Sequence, residues 1–116
     1  MRRGSVVEGN DKVVVFIAAP TIDEADKIAE VLVEQRKAAC VNIVPQVSSR
    51  FWWQGKIESG EEALLIVKTR AVLLDEVIGL VKANHSYEVP EVIALPISGG
   101  NEDYLSWLDE ETSRET

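Results

Sequence analysis

A chain of 116 residues with 46% apolar content and a net charge of −8 is a single acidic globular domain. The acidic surface, with no Lys/Arg stripe to offset it, repels phosphates and excludes nucleic acid as a partner, while attracting divalent cations only diffusely. No apolar run reaches the roughly 18 to 20 residues of a membrane span, and one cysteine leaves no intrachain disulfide and points to a reducing, cytoplasmic setting.

Residues 1–11 are polar and aperiodic, so they read as a flexible tail. Met1-Arg2-Arg3-Gly4-Ser5 is basic but leads into no apolar stretch, which argues against a signal peptide. Val13 to Ala19 is a β-branched apolar run ending at Pro20, the pattern of a buried central strand. Thr21 and Glu24 have capping-box spacing: the hydroxyl and the carboxylate are each expected to satisfy an orphan backbone N–H of a helix that follows. Ala25, Ile28, Ala29 and Leu32 form its core stripe, and Arg36 and Lys37 are placed near its negative end.

Ala39 to Trp53 then reads as a strand interrupted by Pro45. Gln54-Gly55 is a tight turn, and Lys56-Ile57-Glu58 leaves it. Ser59-Gly60-Glu61-Glu62 reads as a polar interruption before a second buried strand at Ala63 to Val67. A second helix is expected after Thr69, with Leu74, Val77, Ile78 and Val81 on its apolar face. Val92 to Ile97 is a last strand whose two prolines suggest that it lies on an edge or is bounded by bends. Asn101 caps a third helix carrying Tyr104, Leu105 and Leu108, and the acidic stretch after Asp109 is expected to be loose. The domain is thus 12–110, with a tail at 111–116.

The order β-α-β-β-α-β plus a terminal helix predicts an α+β, ferredoxin-like sheet with helices on one face. The other face lacks a cover from this chain. Fully extended, Ala39 to Trp53 would span about 50 Å at roughly 3.3 Å per residue, against a domain radius of gyration of about 13 Å. The hairpin must bend near Pro45 or project, carrying Phe51, Trp52 and Trp53 at its tip. A bare sheet face and a long aromatic hairpin ask for the same remedy, so the chain is expected to be an oligomer whose hairpins pair between copies.

Chemistry-bearing residues are few. His85, the only histidine, can neutralise a helix C-terminus, bind a metal or act as a general acid–base. Cys40, in an apolar strand, reads as a packed structural thiol. The pairs Glu61-Glu62 and Glu110-Glu111 lie in polar stretches and read as solvated faces. Gly99-Gly100 lacks the rest of a phosphate loop, and no triad is legible, so no catalytic residue is expected.

Five segments stand together in one order: Ala39-Cys40-Val41-Asn42-Ile43, Trp53-Gln54-Gly55-Lys56-Ile57-Glu58, Lys68-Thr69, His85-Ser86-Tyr87-Glu88-Val89-Pro90-Glu91 and Tyr104-Leu105-Ser106-Trp107. Over about residues 12 to 109 the sequence resembles the CutA divalent-cation tolerance proteins. The resemblance implies a ferredoxin-like subunit in a homotrimer similar to PII-type signalling trimers, and a role in tolerance of copper and other divalent metals. It also implies inter-subunit clefts for a metal or small effector, beside which Lys56, Glu58, Lys68, Tyr87 and Glu91 are placed. Of the Cu²⁺ ligands the resemblance implies, only His85 is present; Ile17 and Asn84 stand at the other two positions and Ser86 replaces a proline. An enzyme transferring a phosphoryl group through His85, or a purely structural trimeric scaffold, are the alternatives.

Overall fold

The computed structural model describes residues 11–114; the expected tail at 1–11 lies, but for Asp11, outside them. The elements in chain order are β1 (Lys12–Ala19), α1 (Ile22–Glu34), β2 (Cys40–Trp53), β3 (Lys56–Arg70), a 3-10 turn (Ala71–Leu73), α2 (Leu74–Asn84), β4 (Val92–Pro96) and α3 (Glu102–Ser113). The strands form one sheet in the order β2-β3-β1-β4, every neighbouring pair antiparallel. This is the predicted ferredoxin-like α+β arrangement, with β1 central and β4 at an edge.

Strand alternation sets the two faces of the sheet. Val13, Val15 and Ile17 of β1 and Leu65, Val67 and Thr69 of β3 are fully buried. The apolar ones among them join Ala25, Ile28 and Leu32 of α1 and Val77 and Val81 of α2 in one core, each large apolar side chain contributing about 1.5–3 kcal/mol by leaving water. The second helix follows Thr69 as expected, after the 3-10 turn, and Thr69 itself is not part of it. It is buried on β3, and its hydroxyl donates to Lys37 O at 2.6 Å, which ties the strand to the chain leaving α1.

That exit departs from the sequence reading. Arg36 takes a left-handed φ of 62°, outside α1, and its guanidinium pairs with Glu111 at 2.6 Å while Lys37 pairs with Glu76 at 2.8 Å. Both cations bridge to other helices instead of the end of their own. Glu111, the partner of Arg36, lies beyond the point where the C-terminal stretch was expected to loosen. Instead α3 continues to Ser113, with Leu108 and Thr112 buried. Arg70 Nε donates to Thr112 Oγ1 at 2.9 Å, and Lys12 pairs with Asp109 at 2.9 Å. So α3 packs over the Lys12/Arg70 end of the sheet and supplies part of the missing cover. Further along the second face Ile93 and Leu95 stay 52% and 46% exposed, beside half-buried Val14, Phe16 and Ile66.

The pairing of the long hairpin is interrupted where proline predicts it. The β2–β3 register shifts between Val44 and Val47, at Pro45, which has no N–H to give to the ladder. Beyond the shift the pairing runs unbroken from Val47↔Glu62 to Trp53↔Lys56, so Ser59 to Glu62 continue β3 and do not interrupt it. Backbone pairing asks nothing of side-chain polarity, and a two-stranded ribbon in solvent is naturally polar. Gln54 and Gly55 close it with φ of 52° and 80°, the two positive values a type I′ turn requires.

Candidate functional site

The segment from His85 to Glu91 joins α2 to β4 and faces the base of the hairpin. His85 is the C-cap of α2 with extended backbone (φ −110°, ψ 140°), and this turns its imidazole inward until the side chain is 0% exposed. Its Nε2 lies 2.7 Å from Ala18 O at the end of β1, and its Nδ1 accepts the Tyr87 N–H at 3.0 Å. A carbonyl only accepts, so Nε2 carries the proton and Nδ1 is bare. Both ring nitrogens are thus engaged within the fold, one by the end of β1 and one by the loop itself.

Glu24 braces the same loop from α1. Thr21 Oγ1 caps the helix as expected, accepting Glu24 N–H at 3.1 Å. The Glu24 carboxylate does not close the other half of the box. Its Oε2 instead accepts the Ser86 N–H at 2.8 Å and the Ser86 hydroxyl at 3.2 Å, and lies 3.4 Å from His85 Nδ1. From the far side, Tyr87 Oη donates to Glu62 Oε2 of β3 at 3.0 Å, and the Tyr87 ring packs on His85 with centroids 4.9 Å apart. Burial first, then the bond to Glu62 and the charges of Glu62 and Glu24, push the Tyr87 hydroxyl up to about 12. It stays a donor across the physiological range.

Between this braced loop and the hairpin runs a groove of about 850 Å³, lined by Arg50, Phe51, Trp52, Trp53, Glu62, Tyr87 and Glu91 among others. Of the five residues placed beside a cleft, the single chain brings Tyr87 and Glu91 into this groove. Lys56 and Glu58 lie on the hairpin, opposite Trp53 and Phe51. Lys68 is further along β3, opposite Cys40, where its ammonium bonds Asn42 Oδ1. Cys40 is half-buried on the edge strand, short of the packed core position expected of it.

The copper set does not fit these residues. Ile17 is a fully buried core side chain, the Asn84 amide donates to Leu80 O at 2.8 Å, and both His85 nitrogens are engaged. Among the described residues no three His, Cys, Asp or Glu side chains gather as a cation-holding group.

Glu24 and Glu62 are the site residues that sequence reasoning missed. Glu62 was legible: it continues the alternation of Leu64 and Ile66 along the half-buried face of β3, a pattern hidden once the polar stretch was taken as a break. Glu24 carried no such signal, since its partner Ser86 is 62 residues away.

Comparison with known proteins agrees with this architecture. The family described as CutA1 divalent ion tolerance protein matches residues 13–111. "Protein CutA 1, chloroplastic" of Oryza sativa is 50% identical over 86% of this chain and 56% of its own length, so the chain spans about half of that plant relative. The "Divalent-cation tolerance protein CutA" of Thermus thermophilus is 50% identical over 85% of this chain and 96% of its own. The solved structure of the "Periplasmic divalent cation tolerance protein CutA" from Archaeoglobus fulgidus superposes with a TM-score of 0.85 at 46% identity, covering 87% of this chain and 98% of that one. The chain belongs to the CutA1 divalent ion tolerance family.

Proposed function

We propose that the chain works as a cytoplasmic homotrimer and serves divalent-cation tolerance by binding a small effector in the groove beneath each hairpin, closed by a neighbouring copy. The observation that carries this is the groove's construction. Its floor residue Tyr87 is fixed from three elements, by His85 at the end of α2, Glu24-bound Ser86 on the α1 side and Glu62 on β3, while its hairpin wall is left open to solvent. A rigid floor with an unfinished wall suits a site completed by assembly.

The trimer is supported by the apolar surface that one chain leaves uncovered: Phe51, Trp52 and Trp53 at 43%, 71% and 44% exposure, together with Ile93 and Leu95 on the sheet. Left in water, such surface is costly and prone to pairing. In a closed ring each hairpin reaches its neighbour, and Lys56, Glu58 and Lys68 then approach a cleft their own chain does not bring them to. Resident copper at His85 forms no part of this reading, and neither does phosphoryl transfer through it, since both need a ring nitrogen that the fold has already used.

The test is a thermal-shift panel of divalent metal salts and small charged metabolites on wild type, Tyr87→Ala and Lys68→Ala. A compound that raises the wild-type Tm and loses its effect in the variants supports the groove. Stabilising compounds that act equally on all three proteins contradict it.

A further inference from the structure

The groove beneath the hairpin has a charge and a surface chemistry of its own, and together they narrow what can occupy it. Three carboxylates line it, Glu62, Glu88 and Glu91, against the single cation Arg50. We infer that its occupant is an organic cation: an ammonium group on an apolar or aromatic body, with the body against the hairpin aromatics and the charge among the carboxylates. The inference rests on the effector reading, since it names the chemical class that the same groove takes.

Arg50 does not neutralise the carboxylates. Its Nη1 donates to Ser48 Oγ at 2.9 Å and to Ser49 O at 3.3 Å, both on its own strand. Among the described residues no lysine or arginine pairs with Glu62, Glu88 or Glu91. Glu62 accepts the Tyr87 hydroxyl, a neutral donor that leaves the carboxylate charge in place. The net charge of −8 on the whole chain adds to the same field. Closure by a neighbouring copy does not reverse the balance: Lys56 and Glu58 cancel, and the Lys68 ammonium is held at Asn42 Oδ1.

Aromatic side chains complete the lining, with Trp52 and Trp53 on the hairpin and Tyr87 on the loop. Ring faces attract ammonium groups, the more so once water is excluded, and the same rings bury an apolar body. Two other classes of occupant fit less well. A bare divalent ion needs several oxygen ligands converging on one point, and among the described residues no three such side chains gather. An anion would meet three carboxylates and a guanidinium whose donors are turned onto its own strand. The groove's volume of about 850 Å³ is that of a pocket for a small organic molecule, and far exceeds what one ion fills.

The experiment titrates phenethylammonium, neutral phenethyl alcohol and anionic hydrocinnamate, which share a similar body and differ in charge, into the full chain. NMR follows the indole N–H signals of its three tryptophans. Trp107, packed against Tyr104 on α3 and outside the groove lining, is the internal reference. Phenethylammonium is expected to shift the Trp52 and Trp53 signals saturably, leave Trp107 in place and bind about tenfold tighter than the alcohol, with hydrocinnamate weakest. Glu88→Gln and Glu91→Gln each weaken the ammonium by about threefold, and Arg50→Gln, which removes the opposing charge, tightens it. An alcohol that binds as tightly as the ammonium overturns the cation class. So does an ammonium affinity that neither glutamate variant moves, or an ammonium without effect on Trp52 and Trp53. A preference for hydrocinnamate that is lost in Tyr87→Ala also overturns it, yet leaves the groove reading standing; failure of the groove itself shows separately in the thermal-shift panel.

Discussion

Tyr87 Oη and Glu62 Oε2, 3.0 Å apart, join the loop that precedes β4 to the strand that carries the long hairpin. One hydrogen bond thus couples the groove's floor to its wall. It also makes the floor sensitive to alkali. The Tyr87 hydroxyl is raised to about 12 from the model-compound value of 10.0, so the folded chain keeps a proton that the unfolded chain gives up near pH 10. Stability present below that pH is lost as pH rises through about 12. In a Tyr104→Phe background, tyrosinate absorbance is expected to report this late titration, and Tyr87→Phe to remove the matching part of the alkaline fall in Tm. Because Tyr87 is 38% exposed, solvent screening keeps the effect on stability small.

Leu108→Ala is expected to cost about 2–5 kcal/mol by opening a cavity under α3, since the side chain is fully buried. Urea denaturation measures it. The loss should exceed that of Thr21→Ala, which removes a single helix cap and costs about 1 kcal/mol.

Gly55→Ala is expected to weaken the hairpin by about 1 kcal/mol, because a side chain is strained at positive φ. A Cβ at this position meets nothing within 4 Å, so the cost is in the backbone alone. Hydrogen exchange at Trp53 and Lys56 should quicken while exchange in β1 stays unchanged.

Isothermal titration with Cu²⁺ is expected to show weak binding that is the same in wild type and His85→Ala, since neither ring nitrogen is free for an ion. Saturable binding at micromolar or lower Kd, lost in the variant, would show that copper displaces the Tyr87 amide.

The fold was largely legible in the sequence because its signals are local. The Val13-to-Ala19 run, the Ala25/Ile28/Leu32 stripe, the Gln54-Gly55 turn and the Asn101 cap each specify their element within a few residues. The misreadings share a different origin. Arg36, Lys37 and Glu24 obey rules for helix ends, yet each is recruited by a partner distant in sequence: Glu111, Glu76 and Ser86. Local chemistry marks such residues as polar and near a terminus; only the fold decides which terminus or loop they serve. The same holds for His85, whose inward rotation depends on the extended backbone at the end of α2 and on where β1 ends.

Assembly underlies the whole functional proposal, so sedimentation velocity at micromolar concentration is the most direct test. A single species of three times the 12.8 kDa chain is the predicted result, with dissociation when Trp52 and Trp53 are replaced by serine. A stable wild-type monomer would contradict it, leaving the groove open on one side and the exposed hairpin aromatics unexplained.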